Sequence, residues 1–518
     1  MTSISAFTDV DHAKEQAKEL TEEDLARYFT ATVENALLNS PDPDSPPPPP
    51  LITVGSQTYR WKKTHYRLIK NSELKRRIVE ISRVTKIPNK EGKESHPFMK
   101  PRFIEEALKW IQLRTERDSS ELNPDGYINC RNGVLHITWD GSRPVPVLEN
   151  HNPEVHLFTD PPGVTYNPQA DLTQVNKLLE CLNVPGRTVF LEVAGATLDV
   201  DAVRNRGHRI PALMLIGSGA NGKDTIREAL GQLHGQNSIS ILSIKDWQGY
   251  ESGSGRGRFS VMQLDRARLS IASENSGAFK VDNLESLKAA ITGEPMYIEG
   301  KGIQGNWISP RAAFMFFLNQ PPLLDGGSAA IASRWGVAKM PHTYSTNPKP
   351  GEKLADPRFK HDPDFLANEV LPGLLNLMIQ ALGDVVQHGF SLDSVSADLQ
   401  EMKEDTCHIH GFLNDHGYVI TNDQADVVEA KDVWDDLWQF YKNNDWLEMD
   451  RVGDWKFIPT KDGDEPVRAS RLLSKRLKQL YPDTRSERAT GTDRRVLIHG
   501  ISRSEAKHQK SEAKNYVF

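Results

Sequence analysis

From Ala13 to Asn39 apolar residues recur at helical spacing, with Leu20, Leu25, Tyr28, Phe29 and Val33 set among acids and lysines. The proline-rich run Ser40–Pro50 can make neither helical nor ladder hydrogen bonds. It is expected as an extended, semi-rigid spacer rather than a ligand for a proline-binding domain. From Leu51 to about Val184 short elements are mixed. Asn71–Arg83, Pro101–Thr115 and Leu172–Leu182 predict helices, Gly126–Ile137 a hairpin about Asn132-Gly133, and Pro161-Pro162 a turn. Between Arg187 and about Tyr344 apolar strands alternate with helices, which favours a parallel α/β sheet. A helical segment follows at Phe365–His388. Amphipathic helices at Lys431–Lys442 and Ala469–Tyr481 then precede a strand-like Arg494–Ile501. That order of helix, helix and basic hairpin is the pattern of a small winged-helix domain. No internal repeat is visible.

Composition narrows the class. The 518 residues carry 63 Lys+Arg against 70 Asp+Glu, a formal charge of -7. The longest unbroken apolar run, Ala312–Leu318, is far short of the roughly 18 residues a membrane helix needs. Met1–Val10 has neither a basic start nor an apolar signal region, and Cys130, Cys181 and Cys407 are too scattered for a disulfide framework. An intracellular, cytoplasmic protein without membrane contact is expected. Cys407, His408 and His410 invite a metal reading, but no fourth ligand is evident. The net charge argues, on its face, against nucleic acid. Its distribution does not: from Val467 to Phe518 thirteen basic residues face five acidic ones, leaving +8. On the Ala469–Tyr481 helix Leu473, Leu477 and Leu480 share one face, and Lys475, Arg476 and Lys478 point away from it, as a DNA-facing helix requires.

The strongest motif is Ala212-Leu-Met-Leu-Ile-Gly-Ser-Gly-Ala-Asn-Gly-Lys-Asp-Thr225, an apolar strand running into a glycine-rich loop that a helix leaves. Gly217, Gly219 and Gly222 let the backbone curl so that N–H groups, Asn221's among them, point at one phosphate chain. The helix adds its positive N-terminus, and Lys223 a point charge for the β/γ-phosphates. ATP is the expected nucleotide. One position is irregular: Asp224 stands where a Ser or Thr hydroxyl normally binds Mg²⁺, with Thr225 one step later. Either Thr225 takes the hydroxyl role, which repulsion between Asp224 and a triphosphate favours, or Asp224 approaches the metal, or hydrolysis is impaired.

Downstream, Ala267–Asn275 reads as a strand ending in Ser273-Glu274. A carboxylate at the C-terminal tip of the strand adjacent to the loop strand is where an ATPase needs its water-activating or metal-binding acid. A third strand, Ala312–Asn319, places Asn319 where an amide can hold both the attacking water and the γ-phosphate. Arg334 follows fifteen residues later. Arg256 and Arg258, in a glycine-rich segment, are candidates to touch DNA or nucleotide.

Together, Gly217–Lys223, Ser273-Glu274, Leu287–Glu294 and Leu318–Pro322 resemble the successive motifs of superfamily 3 helicases, above all the helicase half of phage/plasmid and poxvirus primase-helicases. Cys130–Leu135 and Val164–Ala170 are similar to the segment that precedes the ATPase in that family. The resemblance implies an AAA+-like P-loop ATPase domain with a parallel sheet at 186–390. The expected organisation around it is an arm and linker at 1–50, a mixed α+β domain at 51–185 and a winged-helix-like DNA-binding domain at 391–518. It makes Lys223 the phosphate-binding lysine, Glu274 the Walker B acid and Asn319 the sensor. Arg334 becomes an arginine finger reaching a neighbouring subunit's ATP, and Lys301 the tip of a hairpin that grips single-stranded DNA in a central pore. The implied activity is a hexameric, Mg²⁺-ATP-driven helicase moving 3′ to 5′ on single-stranded and forked DNA. Residues 1–125 offer no convincing primase domain, so a separate primase or polymerase is the expected partner. Two other functions fit the same motifs: an AAA+ origin initiator or loader that does not unwind processively, and a DNA-binding protein with a degenerate ATPase.

Overall fold

The computed structural model describes residues 21–38, 50–89, 93–253, 257–273, 285–300, 303–319, 334–405, 407–421, 423–450, 453–458, 466–481, 483–489 and 495–503. The chain divides into two compact units. The first comprises Met1–Trp139, Val145–Asn167 and Leu230–Ser238, the second Asp140–Pro144, Pro168–Ala229 and Ile239–Phe518.

In the first unit, helix α1 (Glu22–Leu38), helix α2 (Asn71–Val84) and helix α3 (Pro101–Arg114) accompany an antiparallel sheet of β1 (Leu51–Val54), β2 (Gln57–Trp61) and β3 (Tyr66–Ile69). Each helix turns an apolar stripe inward. Phe29, Val33, Leu74, Ile78, Phe103 and Ile111 meet in one core with Phe98, whose ring stacks on Phe29 with centroids 4.8 Å apart. The expected hairpin forms between β4 (Tyr127–Cys130) and β5 (Gly133–Asp140), with Cys130 opposite Gly133. It turns one residue earlier than the Asn-Gly pair suggests, because Gly133 already belongs to the second strand.

The second unit is built on a five-stranded, all-parallel sheet. Its strands in chain order are β6 (Ala212–Ile216), β7 (Ile239–Ile241), β8 (Leu269–Ser273), β9 (Ala313–Leu318) and β10 (Trp335–Lys339). In space they run β7-β8-β9-β6-β10. Strands β6 and β9 are unbroken apolar runs, and with β10 they are almost wholly buried, as parallel strands covered on both faces must be. Helix α4 (Val184–Ala196) and helix α5 (Lys223–His234) lie along the chain on either side of β6. One expectation needs correcting: the strand leading to Glu274 is not adjacent to the loop strand. Strand β9 pairs with both β6 and β8 and lies between them. Hydrophobic periodicity cannot fix that order, because it says which residues are buried and not which strand pairs with which. A later strand inserts beside the first, so Asn319 follows the immediate neighbour of the loop strand.

Past the sheet, the chain passes through a π-helical turn at Leu366–Val370 into α6 (Leu371–His388). Among the described residues Pro363–His388 alone is long and apolar enough to cross a membrane by length and composition, yet 72% of that window is buried inside the protein. A further core gathers α7 (His408–Asp415), α8 (Ala430–Asn443) and α9 (Ser470–Leu480) around Phe412, Leu437, Tyr441, Leu473 and Leu477. Beside them an antiparallel sheet pairs Val427–Glu429 and Arg485–Arg488 with Val496–His499. His408 Nε2 lies 2.8 Å from the Tyr441 hydroxyl, and His410 Nδ1 lies 2.9 Å from that of Tyr481. Both rings thus have tyrosine partners in this core. No group of three or more His, Cys, Asp or Glu stands ready to hold a metal among the described residues.

Candidate functional site

The loop between β6 and α5 opens at the C-terminal edge of the parallel sheet, where open α/β sheets place their ligands. Three backbone bonds set its course. Gly217 N–H donates to Leu318 O at 3.1 Å, Met340 N–H to Ile216 O at 2.8 Å, and Tyr344 N–H to Ala220 O at 2.7 Å. Gly217 is obligatory for space: a Cβ there would lie 2.0 Å from Asn221 Nδ2 and 2.8 Å from Met340 O. Gly219 has φ +91, and Ala220 follows at φ +49, a left-handed position that a residue with a Cβ seldom takes. The backbone N–H groups of Ser218, Ala220, Asn221 and Gly222 find no acceptor among the described residues. They form a row of orphan donors leading into a helix N-terminus, which is the chemistry of an anion cradle. Asn221 is 2% exposed, and its Nδ2 has no partner among the described residues.

Lys223 is buried, and its ammonium group is shared between the Gly217 carbonyl and Asn319 Oδ1, the latter at 2.5 Å. The loop lysine and the amide after the adjacent strand therefore touch directly. Thr225 is half-buried on the same cleft. Asp224 has 61% of its side chain exposed and leans outward, 3.4 Å from Arg227 and 3.7 Å from Lys360. The cleft has a volume of about 280 Å³, and its wall opposite the loop is formed by Lys177, Leu178, Cys181, Tyr344, Leu354 and Phe359. Burial pushes the Cys181 thiol up to about 12, so it stays protonated and inert. Burial, aided by Cys181 and Glu180, raises the Tyr344 phenol to about 12 as well. Asp356 braces this wall: Arg358 grips it with two nitrogens at 3.1 and 2.8 Å, and Lys177 lies 3.0 Å away. The Arg358 contact first, reinforced by Lys177, holds the Asp356 carboxyl well below the usual range.

The structure thus brings Gly217, Gly219, Asn221, Gly222, Lys223, Asp224, Thr225 and Asn319 into one region. Arg334 is elsewhere. Its carbonyl accepts from Ala212 N–H, and the register of Trp335 with Ala212 puts it where β6 begins. That is a five-residue strand, roughly 17 Å at 3.3 Å per residue, from its own chain's loop. Lys475 and Lys478 are exposed on α9 and Arg476 is half-buried, while Leu473 and Leu477 are fully buried beneath them. Lys288 pairs with Glu285 at 2.9 Å. Glu274, Lys301 and Arg256, and the side chain of Arg258, lie outside the described residues.

Sequence reasoning missed two features. The far wall of the cleft comes from Lys177–Cys181 and Tyr344–Lys360, segments with no motif, which only folding brings to the loop. On the hairpin of Met296–Gly300 and Ile303–Ile308, Tyr297 and Trp307 are cross-strand partners with ring centroids 5.7 Å apart. They are 42% and 67% exposed. The signal in Glu294–Ile308 that points to this pair is one aromatic on each arm of the hairpin, Tyr297 and Trp307. The Tyr250 hydroxyl donates to Tyr297 O at 2.7 Å and ties the hairpin down.

The family model described as D5 N terminal like matches residues 52–182, and a family of unknown function (DUF5906) matches residues 215–334. No curated protein matches. Among solved structures, "The A form apo structure of NrS-1 C terminal region-CTR" is 12% identical, with a TM-score of 0.40, covering 87% of this chain and 96% of that one. "The apo structure of NrS-1 C terminal region (305-718)" is 14% identical, with the same coverage and TM-score.

Proposed function

We propose that this chain is an ATP-driven DNA helicase of the superfamily 3 type, acting in replication as a ring of identical subunits. One observation carries the reading: the buried Lys223 ammonium bridges Gly217 O and the Asn319 amide beside a row of backbone N–H groups that have no acceptor among the described residues. A triphosphate entering the cradle would take over the lysine's positive charge and release the Asn319 oxygen. The sensor amide is thereby freed to hold the attacking water, so binding and hydrolysis are coupled through a single contact. Thr225, with Glu274, would hold Mg²⁺, which when bound neutralises the phosphate charge. Arg334 serves the neighbouring subunit's nucleotide, a role its distance from its own loop supports. The Tyr297–Trp307 pair offers bases a stacking platform, and the basic face of α9 takes the phosphate backbone.

The position of Asp224 favours a second reading, a DNA-binding protein that holds ATP without turning it over. Fork unwinding separates the two. With a 3′-tailed fork and Mg²⁺-ATP, the native chain is expected to displace the strand, whereas Glu274→Gln retains ATP and displaces nothing. DNA-stimulated hydrolysis without displacement would point to an initiator or loader. ATP and DNA binding with no hydrolysis would leave the degenerate ATPase.

A further inference from the structure

The first unit carries an uneven distribution of charge that the nucleotide site does not use. From Arg60 to Arg117 the chain holds seventeen Lys and Arg against seven Asp and Glu, although the whole protein is net negative. Among the described residues, some of these cations have a carboxylate partner and others do not. Lys75 pairs with Glu105 at 2.5 Å, Lys86 with Glu94 at 2.8 Å, Arg102 with Glu106 at 2.8 Å, and Arg114 with Glu34 at 3.3 Å. Arg60, Lys62, Arg67 and Arg77, by contrast, have no carboxylate in contact among the described residues.

The fold draws these four together. Arg60 and Arg67 are cross-strand partners of β2 and β3 and so share one face of the sheet, an arrangement of like charges that is destabilising unless a counter-ion comes between them. Burial, and then Arg77 on α2, depress the Arg60 guanidinium, and Glu73 is the one acid acting on it. His65, in the tight turn between the strands, is depressed first by its burial and then by Arg67 and Lys62. Lys63 holds that turn at φ 73. Leu68, 48% exposed, alternates to the other face of the sheet from Arg67, so no apolar anchor of the kind a membrane surface needs stands beside Arg60 and Arg67 on the sheet. Guanidinium groups in a row match phosphate oxygens in fixed, two-pronged geometry.

We infer that the face formed by Arg60, Lys62, Arg67 and Arg77 is a binding surface for the phosphate backbone of a polynucleotide. It belongs to the first unit, and it does not depend on nucleotide hydrolysis. Its ligand is read by charge and spacing, not by base.

The test uses the full chain without ATP and fluorescently labelled DNA, single-stranded and duplex, titrated across a salt series. Lys62→Ala/Arg67→Ala/Arg77→Ala leaves the buried Arg60 in place, and its melting curve checks the fold. Three lost phosphate contacts should weaken single-strand affinity roughly tenfold or more and flatten the salt slope by about 2, at about 0.7 per phosphate. Arg67→Lys/Arg77→Lys, which keeps the charge, should keep the slope. Removing an equal charge from the paired group, Lys75→Ala/Lys86→Ala/Arg102→Ala, should change affinity by less than about threefold. The inference is overturned if the first triple variant binds both DNAs with unchanged affinity and slope, or if the paired-group variant loses as much. It is also overturned if anionic phospholipid vesicles bind the native chain and DNA does not. Failure of unwinding would leave these outcomes unaffected, so the two readings fail separately.

Discussion

Replacing Asp224 by Ser restores the hydroxyl that phosphate loops usually carry, and its effect follows from where the carboxylate lies. The side chain is 61% exposed and, among the described residues, pairs with the exposed Arg227 at 3.4 Å and Lys360 at 3.7 Å. Exposed pairs contribute about 0–1 kcal/mol each, so Asp224→Ser should change the unfolding free energy by no more than about 1 kcal/mol. Against a triphosphate the sign is clear. A unit charge about 4 Å from another costs about 1 kcal/mol in water and about 4 kcal/mol at a dielectric constant near 20, and an exposed rim lies toward the watery end. Removing the carboxylate should therefore tighten ATP by roughly five- to tenfold in EDTA, since about 1.4 kcal/mol is tenfold. Freed Arg227 and Lys360 would act in the same direction. With excess Mg²⁺ the cation cancels the repulsion, and the gain should shrink below about twofold. Titrating a fluorescent ATP analogue under both conditions, with Thr225→Ala alongside, measures this. If Asp224→Ser instead weakened Mg²⁺-ATP more than tenfold while Thr225→Ala had no effect, Asp224 would be the metal's ligand and the reasoning would be refuted.

Four further outcomes are expected. Lys223→Ala should remove ATP binding in the same titration, because no other described cation lies inside the loop, whereas Asn319→Ala should retain ATP and lose turnover in a phosphate-release assay. Trp307→Ala should weaken single-stranded DNA by about 1–3 kcal/mol, the usual worth of one stacked base, with ATP affinity intact; equal affinity in an anisotropy titration would dismiss the platform. Leu477→Ala, at a fully buried position of the C-terminal core, should lower stability by about 2–5 kcal/mol in urea unfolding. For Asp356 the folded carboxyl is depressed, so its contribution is complete above the ordinary carboxylate range and is lost as pH falls through the lower folded value. Stability measured from pH 7 to pH 3 should then fall with a different pH dependence in native protein and in Asp356→Asn, and parallel curves would remove the brace.

Much of the local structure is readable because it depends on neighbours in sequence. The periodicity of Leu74 and Ile78, and the proline at position 101, predict α2 and α3 nearly to the residue. The Ala212–Ile216 strand, its loop and the helix from Lys223 follow from glycine spacing and an apolar run. What sequence obscured are pairings at long range. The strand of Ala313–Leu318 inserts between two earlier ones, and nothing in its own residues says so. The same insertion turns Asn319 from a plausible amide into the partner of Lys223. No motif groups Arg60, Arg67 and Arg77, because a sheet register and a helix flank bring them together.

The loop chemistry was thus determined by the sequence alone, because backbone curl and helix entry are decided within a dozen residues. Charge was not: the total of -7 says little, since potential at a surface depends on which cations keep a carboxylate beside them. Tertiary structure made that choice, pairing Lys75, Arg102 and Arg114 and leaving Arg60 and Arg67 side by side across two strands. It also built the far wall of the cleft from segments more than a hundred residues away in sequence from one another, because a buried pocket requires surfaces that only chain crossing can bring face to face.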